Sequence, residues 1–133
     1  MSNDSQKDRE SEKVKTTIGT SALAKDVFVK LKEDGYFSSA TNSFRFAVSY
    51  AIEKELPIPD DRKLPDTLGL TWGITQMDPE GLLRQLIEQV YCDGEMLGQK
   101  ESYVLAELLA EAAAIDISKK MSRGMTVGQL VAG

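Results

Sequence analysis

The stretch KVKTTIGTSALAKDVFVKLKEDG, from Lys13 to Gly35, predicts a short strand that leads directly into an amphipathic helix. Residues 14–18 alternate between apolar and polar side chains and are mostly β-branched, which favours a strand. Gly19 ends the alternation. A lone strand of this length needs a second strand to satisfy its backbone groups, so the pattern also predicts a pairing partner.

The helical part of this stretch is predicted over residues 22–32, with Thr20 or Ser21 as its cap. Asp34 and Gly35 end it, because glycine readily takes the left-handed conformation that follows a helix. Apolar residues recur at helical spacing. They are Leu23, Val27, Phe28 and Leu31.

A second helix is predicted after the polar turn SSATNS, with Ser39 or Thr41 as its cap and Pro57 as its end. Its apolar stripe is broad. The stripe consists of Phe44, Ala47, Val48, Ala51, Ile52 and Leu56.

The remaining chain predicts a Pro/Leu-rich connector and then two long helices. The connector is expected to be ordered because its apolar residues, such as Leu68 and Trp72, need burial. Asp78 and Pro79 resemble a helix start, and Ser102 is the expected cap of the last long helix. The first of these helices has an apolar face of Leu82, Leu83, Leu86, Ile87, Val90 and Tyr91. The second has a stripe of Val104, Leu105, Leu108, Leu109, Ala112 and Ile115.

The predicted fold is therefore mostly α, with a short N-terminal strand followed by four to five helices. Four segments follow from this reading. They are a disordered tail (1–12), a strand-helix-helix segment (13–56), the connector (57–77) and a helical segment for oligomerisation or partner binding (78–133).

The charge of the chain is distributed unevenly. Residues 1–56 contain nine basic and nine acidic side chains, whereas residues 57–133 contain seven basic and twelve acidic ones. The net charge of −5 therefore belongs to the second part, and a nucleic-acid surface is expected only as a local patch. The single cysteine, Cys92, and the lack of a long apolar stretch favour a cytoplasmic protein without a membrane segment.

The chemistry of the side chains argues against an enzyme. The chain has no histidine, the usual general base and commonest metal ligand, and no phosphate-binding glycine motif. Two acidic pairs, Asp60-Asp61 and Asp93/Glu95, and Cys92 are the remaining candidates. They are interpreted as solvated loop acids and a core cysteine, so no catalytic residue, metal or cofactor is expected.

The order strand, helix, polar turn, helix over residues 13–56 resembles the ribbon-helix-helix (MetJ/Arc-type) family of DNA-binding proteins. This resemblance implies that two chains pair their strands into a ribbon that enters the major groove. It also implies that the start of the second helix holds a phosphate. The DNA-binding residues expected by position are Lys13, Lys15, Thr17, Thr41, Asn42, Ser43 and Arg45. The alternative is a helical bundle with a short N-terminal extension.

The whole layout is more loosely similar to the DndE family of the bacterial DNA-phosphorothioation system. The stretches LPDTLGLTW and DPEGLLRQLIEQVY carry this similarity. It implies a small, helical, self-associating protein linked to DNA, as an accessory subunit of a DNA-modification or defence system.

Two functions are therefore expected. The first is a non-enzymatic DNA-associated protein, at least a dimer, whose N-terminal part contacts DNA. The alternative is an antitoxin-like or scaffold subunit whose acidic C-terminal half binds a protein partner. Apolar stripes on four helices exceed what a monomer of this size hides comfortably, which favours a homo-oligomer in both cases.

Overall fold

The computed structural model describes residues 14–92 and 98–132, and it is mostly helical with one small sheet. The elements in chain order are β1 (Thr17–Gly19), α1 (Ala22–Glu33), α2 (Ala40–Glu53), β2 (Thr71–Gly73), α3 (Ile74–Met77), α4 (Leu82–Cys92), α5 (Gln99–Ser122) and α6 (Val127–Ala132). This confirms the predicted class, a short strand followed by helices. The predicted tail (1–12) lies outside the described residues.

The long helix α5 occupies the centre of the molecule. Its 24 residues contact α1, α2 and α4, and it is buried around most of its circumference. Small side chains let the neighbouring helices approach closely, and four alanines of α5 are at most 1% exposed. They are Ala106, Ala110, Ala113 and Ala114. The predicted stripe of α5 is wrong at Ile115, which is exposed. The helix is buried over a sector wider than one stripe, and Ile115 lies outside that sector.

The two strands form an antiparallel pair in which Ile18 lies opposite Trp72. Pairing continues beyond the strands, since Thr20 N donates to Leu70 O at 2.9 Å. The strand predicted at residues 14–18 is therefore displaced towards Gly19. Its partner, β2, lies in the connector, where no strand was predicted.

Of the two candidate caps for each of α1 and α2, the serine is the cap. Ser21 Oγ accepts from Ala24 N at 3.1 Å, and Ser39 Oγ accepts from Asn42 N at 3.2 Å. Between these helices the buried Phe28 ring packs edge-on against Phe44, with centroids 6.0 Å apart. Local capping chemistry and the apolar spacing therefore predict where both helices begin. Helix α2 ends at Glu53 rather than at the predicted Pro57, because Glu55 takes the left-handed conformation with φ +53°.

Two other predicted caps are wrong. Helix α4 begins at Leu82 rather than beside Asp78, because Gly81 turns the chain with φ +72°. Asp78 nevertheless accepts hydrogen bonds from the α4 backbone. Helix α5 begins at Gln99, and the hydroxyl of Ser102 donates back to Gly98 O at 3.2 Å instead of capping.

Candidate interaction surface

The DNA-binding residues expected on β1 lie in different surroundings. Lys13 is outside the described residues, and Thr17 is exposed. Lys15 is half-buried, and its Nζ lies 3.3 Å from Glu107 Oε2 on α5. Its charge is therefore engaged by the chain's own carboxylate.

Side chains of α5 occupy the edge of β1 that faces away from β2. The Gln99 carboxamide exchanges two hydrogen bonds with the backbone of Lys15, both of 2.8 Å, as a neighbouring strand does. Glu107 Oε2 accepts from Gly19 N at 2.7 Å. A ribbon between two chains therefore requires β1 to exchange these bonds for bonds to a partner, and it stays a prediction.

The expected phosphate-binding residues lie at the start of α2, where most of their polar groups have partners. Ser43 is buried and donates to Phe28 O at 3.3 Å, while Thr41 is half-buried. Arg45 donates from Nη1 to Asn42 Oδ1 at 3.0 Å and from Nη2 to Met77 O at 2.8 Å. The structure thus brings Asn42 and Arg45 together, and Arg45 ties α2 to the end of α3.

The other candidate residues from the sequence form no site within the described residues. Asp60 and Asp61 are exposed, as expected of loop acids. Asp93, Glu95 and the side chain of Cys92 lie outside the described part. Among residues 14–92 and 98–132, no three His, Cys, Asp or Glu side chains are grouped so as to hold a metal ion.

One polar cluster links α2 to the C-terminal end of α5. Tyr50 Oη donates to Asp116 Oδ2 at 2.6 Å. Lys120 Nζ lies 2.9 Å from Tyr50 Oη and 2.9 Å from Asp116 Oδ2. Burial and the hydrogen bond to Asp116 raise the pKa of Tyr50. Burial would raise the pKa of Asp116, but hydrogen bonds from Tyr50 and Lys120 outweigh it and hold that pKa below its ordinary value. A protonated Tyr50 and an ionised Asp116 hold α2 against α5, and a protonated phenol is a poor nucleophile.

A second polar cluster positions α4. Both carboxylate oxygens of the buried Asp78 accept from the first turn of α4, from Leu83 N at 3.0 Å and Arg84 N at 3.1 Å. Tyr103 of α5 donates its hydroxyl to Asp78 Oδ2 at 2.8 Å. Burial, followed by this hydrogen bond, raises the pKa of Tyr103 to about 12, so the phenol stays protonated. The orientation of α4 on α5 is therefore set by a satisfied buried network.

The apolar residues of α4 divide between two sides of the helix. Leu83 and Ile87 pack against the core, whereas Leu82 is 62% and Val90 44% exposed. At about 100° per residue, Leu82, Leu86 and Val90 form one ridge along the helix, because they are four residues apart. We call this ridge, together with the exposed Gln85 and Gln89 beside it, the α4 face.

The α4 face carries no formal charge. The two charged residues of α4 lie on its other flank and pair with each other, with Arg84 Nε 2.9 Å from Glu88 Oε1. The five residues of the face span a sector of about 140° around the helix. In a chain with 28% charged residues, a neutral sector of this width is depleted of charge in the way that interface cores are.

A groove of about 420 Å³ runs beside the N-terminal half of this ridge. Five of its lining residues are apolar and four are polar or charged. The apolar ones are Met77, Pro79, Leu82, Leu83 and Leu86, and the others are Arg45, Ser49, Asp78 and Glu80. Because the Arg45 guanidinium is already bound to Met77 O, its charge does not point freely into the groove. Asp78 is likewise engaged by α4 and Tyr103, so the exposed Glu80 is the acidic group that the groove presents to solvent beside its apolar residues. The apolar part of the groove is suited to an apolar side chain.

Sequence reasoning treated all six apolar residues of α4 as one buried face and so missed this surface. The available signal was their angular spread, about 180° from Leu82 to Tyr91, which is wider than one packing partner covers. The same reasoning expected the connector's apolar residues to be buried, which is wrong for Leu68, 76% exposed.

Neither family models, nor curated proteins, nor solved structures match this chain. No helix within residues 14–92 and 98–132 combines the length and the apolarity needed to cross a membrane. The function is therefore argued from the surfaces of the molecule itself.

Proposed function

We propose that this chain is a non-enzymatic interaction subunit that docks through the α4 face. The observation that carries the proposal is the uncharged ridge formed by the exposed Leu82 and Val90 and the half-buried Leu86. It lies beside a groove whose lining includes Met77, Pro79 and Leu83. Single exposed leucines are common, but a ridge on a helix held rigidly by buried hydrogen bonds is a typical docking surface.

The rigidity of α4 supports this proposal. Asp78 and Tyr103 hold the start of the helix, while Ile87 is fully buried beneath its middle. A preorganised face loses little conformational entropy when a partner binds. The proposal develops the idea that the C-terminal half binds a partner, but it assigns the contact to an apolar face rather than to acidic charge.

Co-purification with matched variants tests this function. A tagged chain is expressed with an untagged copy in cells of the source organism, and the retained proteins are compared for wild type, Leu82→Glu/Leu86→Glu and Leu23→Glu. Leu23 is a suitable control, because it is 45% exposed on a different helix, α1.

We expect wild type and Leu23→Glu to retain the same partner chain, and the double variant to lose it at unchanged helical content by circular dichroism. A charge buried in an apolar contact costs several kcal/mol, about a hundredfold or more in affinity. Equal retention by all three chains would overturn the proposal.

DNA association is a second candidate, favoured by the basic side chains where α2 and α5 end. Lys54 Nζ lies 5.9 Å and Lys120 Nζ 5.4 Å from the centroid of the Tyr50 ring. Lys119 and Arg123 are exposed at the same end of α5. In a chain of net charge −5, this local patch is suited to phosphate contacts.

Gel shifts over a salt series test the DNA candidate. Lys119→Ala and Arg123→Ala should each lower the slope of log affinity against log salt by about 0.9, because each removes one phosphate contact. Lys100→Ala, exposed at the opposite end of α5, is the matched control and should leave the slope unchanged. Lys13→Ala and Thr17→Ala test the ribbon surface in the same assay. No shift at low salt would reject DNA association.

A further inference from the structure

We infer that the partner of the α4 face is a second copy of this chain, bound about a two-fold axis that passes close to Leu86. This inference rests on the proposed docking function and names its partner. It depends on three properties of the face: its charge, the spacing of its ridge and the position of the groove relative to the ridge.

Electrostatics favours a second copy at this face. Each chain carries a net charge of −5, so two copies repel at most relative orientations. The five residues of the α4 face bring no like charges together, because they are two leucines, a valine and two glutamines. The adjoining groove adds one exposed acidic side chain per copy, Glu80. The glutamine amides each provide donors and an acceptor, so they can pair with the same residue type on the other copy.

The ridge is also compatible with itself. Leu82, Leu86 and Val90 form a row of residues four apart, and two such rows interdigitate when helices cross at about −50°. With antiparallel helices and Leu86 at the crossing point, Val90 of each copy approaches Leu82 of the other. A two-fold contact makes each of these pairings twice.

The groove receives the projecting end of the ridge in this arrangement. It lies beside Leu82 and Leu86, at the N-terminal half of α4, whereas the exposed Val90 projects at the C-terminal half. In the antiparallel pair, Val90 of one copy is directed towards the groove of the other. The same surface thus supplies both the projection and the cavity, as an isologous contact requires.

The size of the contact predicts a weak dimer. Helix α4 has 11 residues and is therefore about 16 Å long, so helix and groove together fall at the lower end of specific interfaces. We expect a mass that rises from 14.6 kDa towards twice that value as the concentration increases through the micromolar range.

Charge exchange at Leu86 tests the two-fold axis. Leu86→Glu and Leu86→Lys are each expected to weaken self-association at least tenfold, since each places like charges against one another near the axis. An equimolar mixture of the two variants should recover association, because glutamate then faces lysine. Leu23→Glu, the control on α1, should associate like wild type. Light scattering or sedimentation equilibrium measures the mass in each case.

Crosslinking provides a second measurement, because a disulfide traps even a weakly populated dimer covalently. In a Cys92→Ser background, Leu86→Cys should form a disulfide-linked dimer, whereas Leu23→Cys should not. The inference would be overturned by a strictly monomeric wild type together with no crosslink of the Leu86→Cys variant. It would also be overturned if Leu86→Glu and Leu86→Lys each associate alone and associate no more strongly when mixed. If a different protein is retained through Leu82 and Leu86 while the untagged copy is not, the second copy is excluded and the docking function stands.

Discussion

Gly69 lies where the connector passes closest to the junction between β1 and α1. A Cβ placed on it would be 2.1 Å from Thr20 Oγ1 and 2.2 Å from Ser21 O. The backbone bond from Gly69 N to Thr20 O, 2.9 Å long, holds the two segments at this distance. Glycine is required here by space, because one of the obstructing atoms belongs to the backbone.

Gly69→Ala should therefore lower the free energy of unfolding by about 3 kcal/mol or more, in the upper range for single substitutions. Relief of the contact requires Thr20 and Ser21 to move, which breaks the pairing of the strands. Urea denaturation followed by circular dichroism measures the loss. Gly73→Ala is the matched control in the same strand pair, since its nearest neighbour would be Thr75 Oγ1 at 3.9 Å. Equal stability of the two variants would contradict this account.

Two glutamates of α5 show why single residues of this core escape sequence reasoning. Glu111 is 5% exposed and accepts a hydrogen bond from Ser21 Oγ at 2.5 Å. Glu107 is half-buried against Lys15 and Gly19. Glutamate is normally exposed, and their partners are 88 to 92 residues away in sequence, so no local pattern indicates these contacts.

At the scale of elements, β1 is held by side chains as much as by its partner strand. Gln99 and Glu107 of α5 satisfy backbone groups on the edge that β2 leaves open. Such cover occupies the edge, so pairing with another chain requires these bonds to be exchanged. Its strength depends on the protonation of Glu107, whose pKa is raised because burial outweighs the Gly19 N–H and the Lys15 ammonium.

The raised pKa of Glu107 predicts a pH dependence of stability. Because the folded state holds this proton more tightly than the unfolded one, its contribution is present below the ordinary pKa of about 4.5 and is lost as pH rises through the folded value. Wild type should therefore lose stability relative to Glu107→Gln as pH rises above 4.5, since glutamine does not titrate. Thermal unfolding of both chains across this range measures the difference. A constant difference, or one of opposite sign, would contradict the prediction.

The starts of α1 and α2 follow from local sequence, whereas the starts of α4 and α5 and the faces that the helices bury do not. Ser21 and Ser39 cap their helices as expected, because an N-cap acts on backbone groups three residues away. The division of α4 into a core side and the α4 face depends instead on α5 and on the Asp78–Tyr103 bond. The candidate site was thus predictable as a set of apolar residues, but not as an exposed surface.

For the whole molecule, the arrangement is one central helix surrounded by elements from both ends of the chain. Helix α5 contacts α1 and α2 from the N-terminal part as well as α4, so the predicted segments 13–56 and 78–133 share one core. Three aromatic rings, Phe28, Phe44 and Trp72, continue that core into the connector. Residues 57–77 therefore belong to the packed body, as their apolar content indicated.

The two proposed surfaces belong to different regions of this body. The α4 face lies beside Ser49 and Met77, while the basic side chains gather around Tyr50 and the end of α5. A dimer formed through α4 would leave the basic side chains of both copies available, and two patches on one assembly would strengthen a weak attraction for nucleic acid. The self-association and gel-shift measurements can therefore be combined on the same variants.

The sequence by itself determined the fold class, the starts of α1 and α2 to within two candidate caps each, and the order of a strand before helices. These features depend on hydrogen bonds and apolar spacing within a few residues. Only the tertiary structure decided the partner of β1, the burial of Glu111 and the exposure of Leu82 and Val90. The physical reason is distance along the chain: these outcomes depend on contacts between residues far apart in sequence, which α5 brings together and no local pattern encodes.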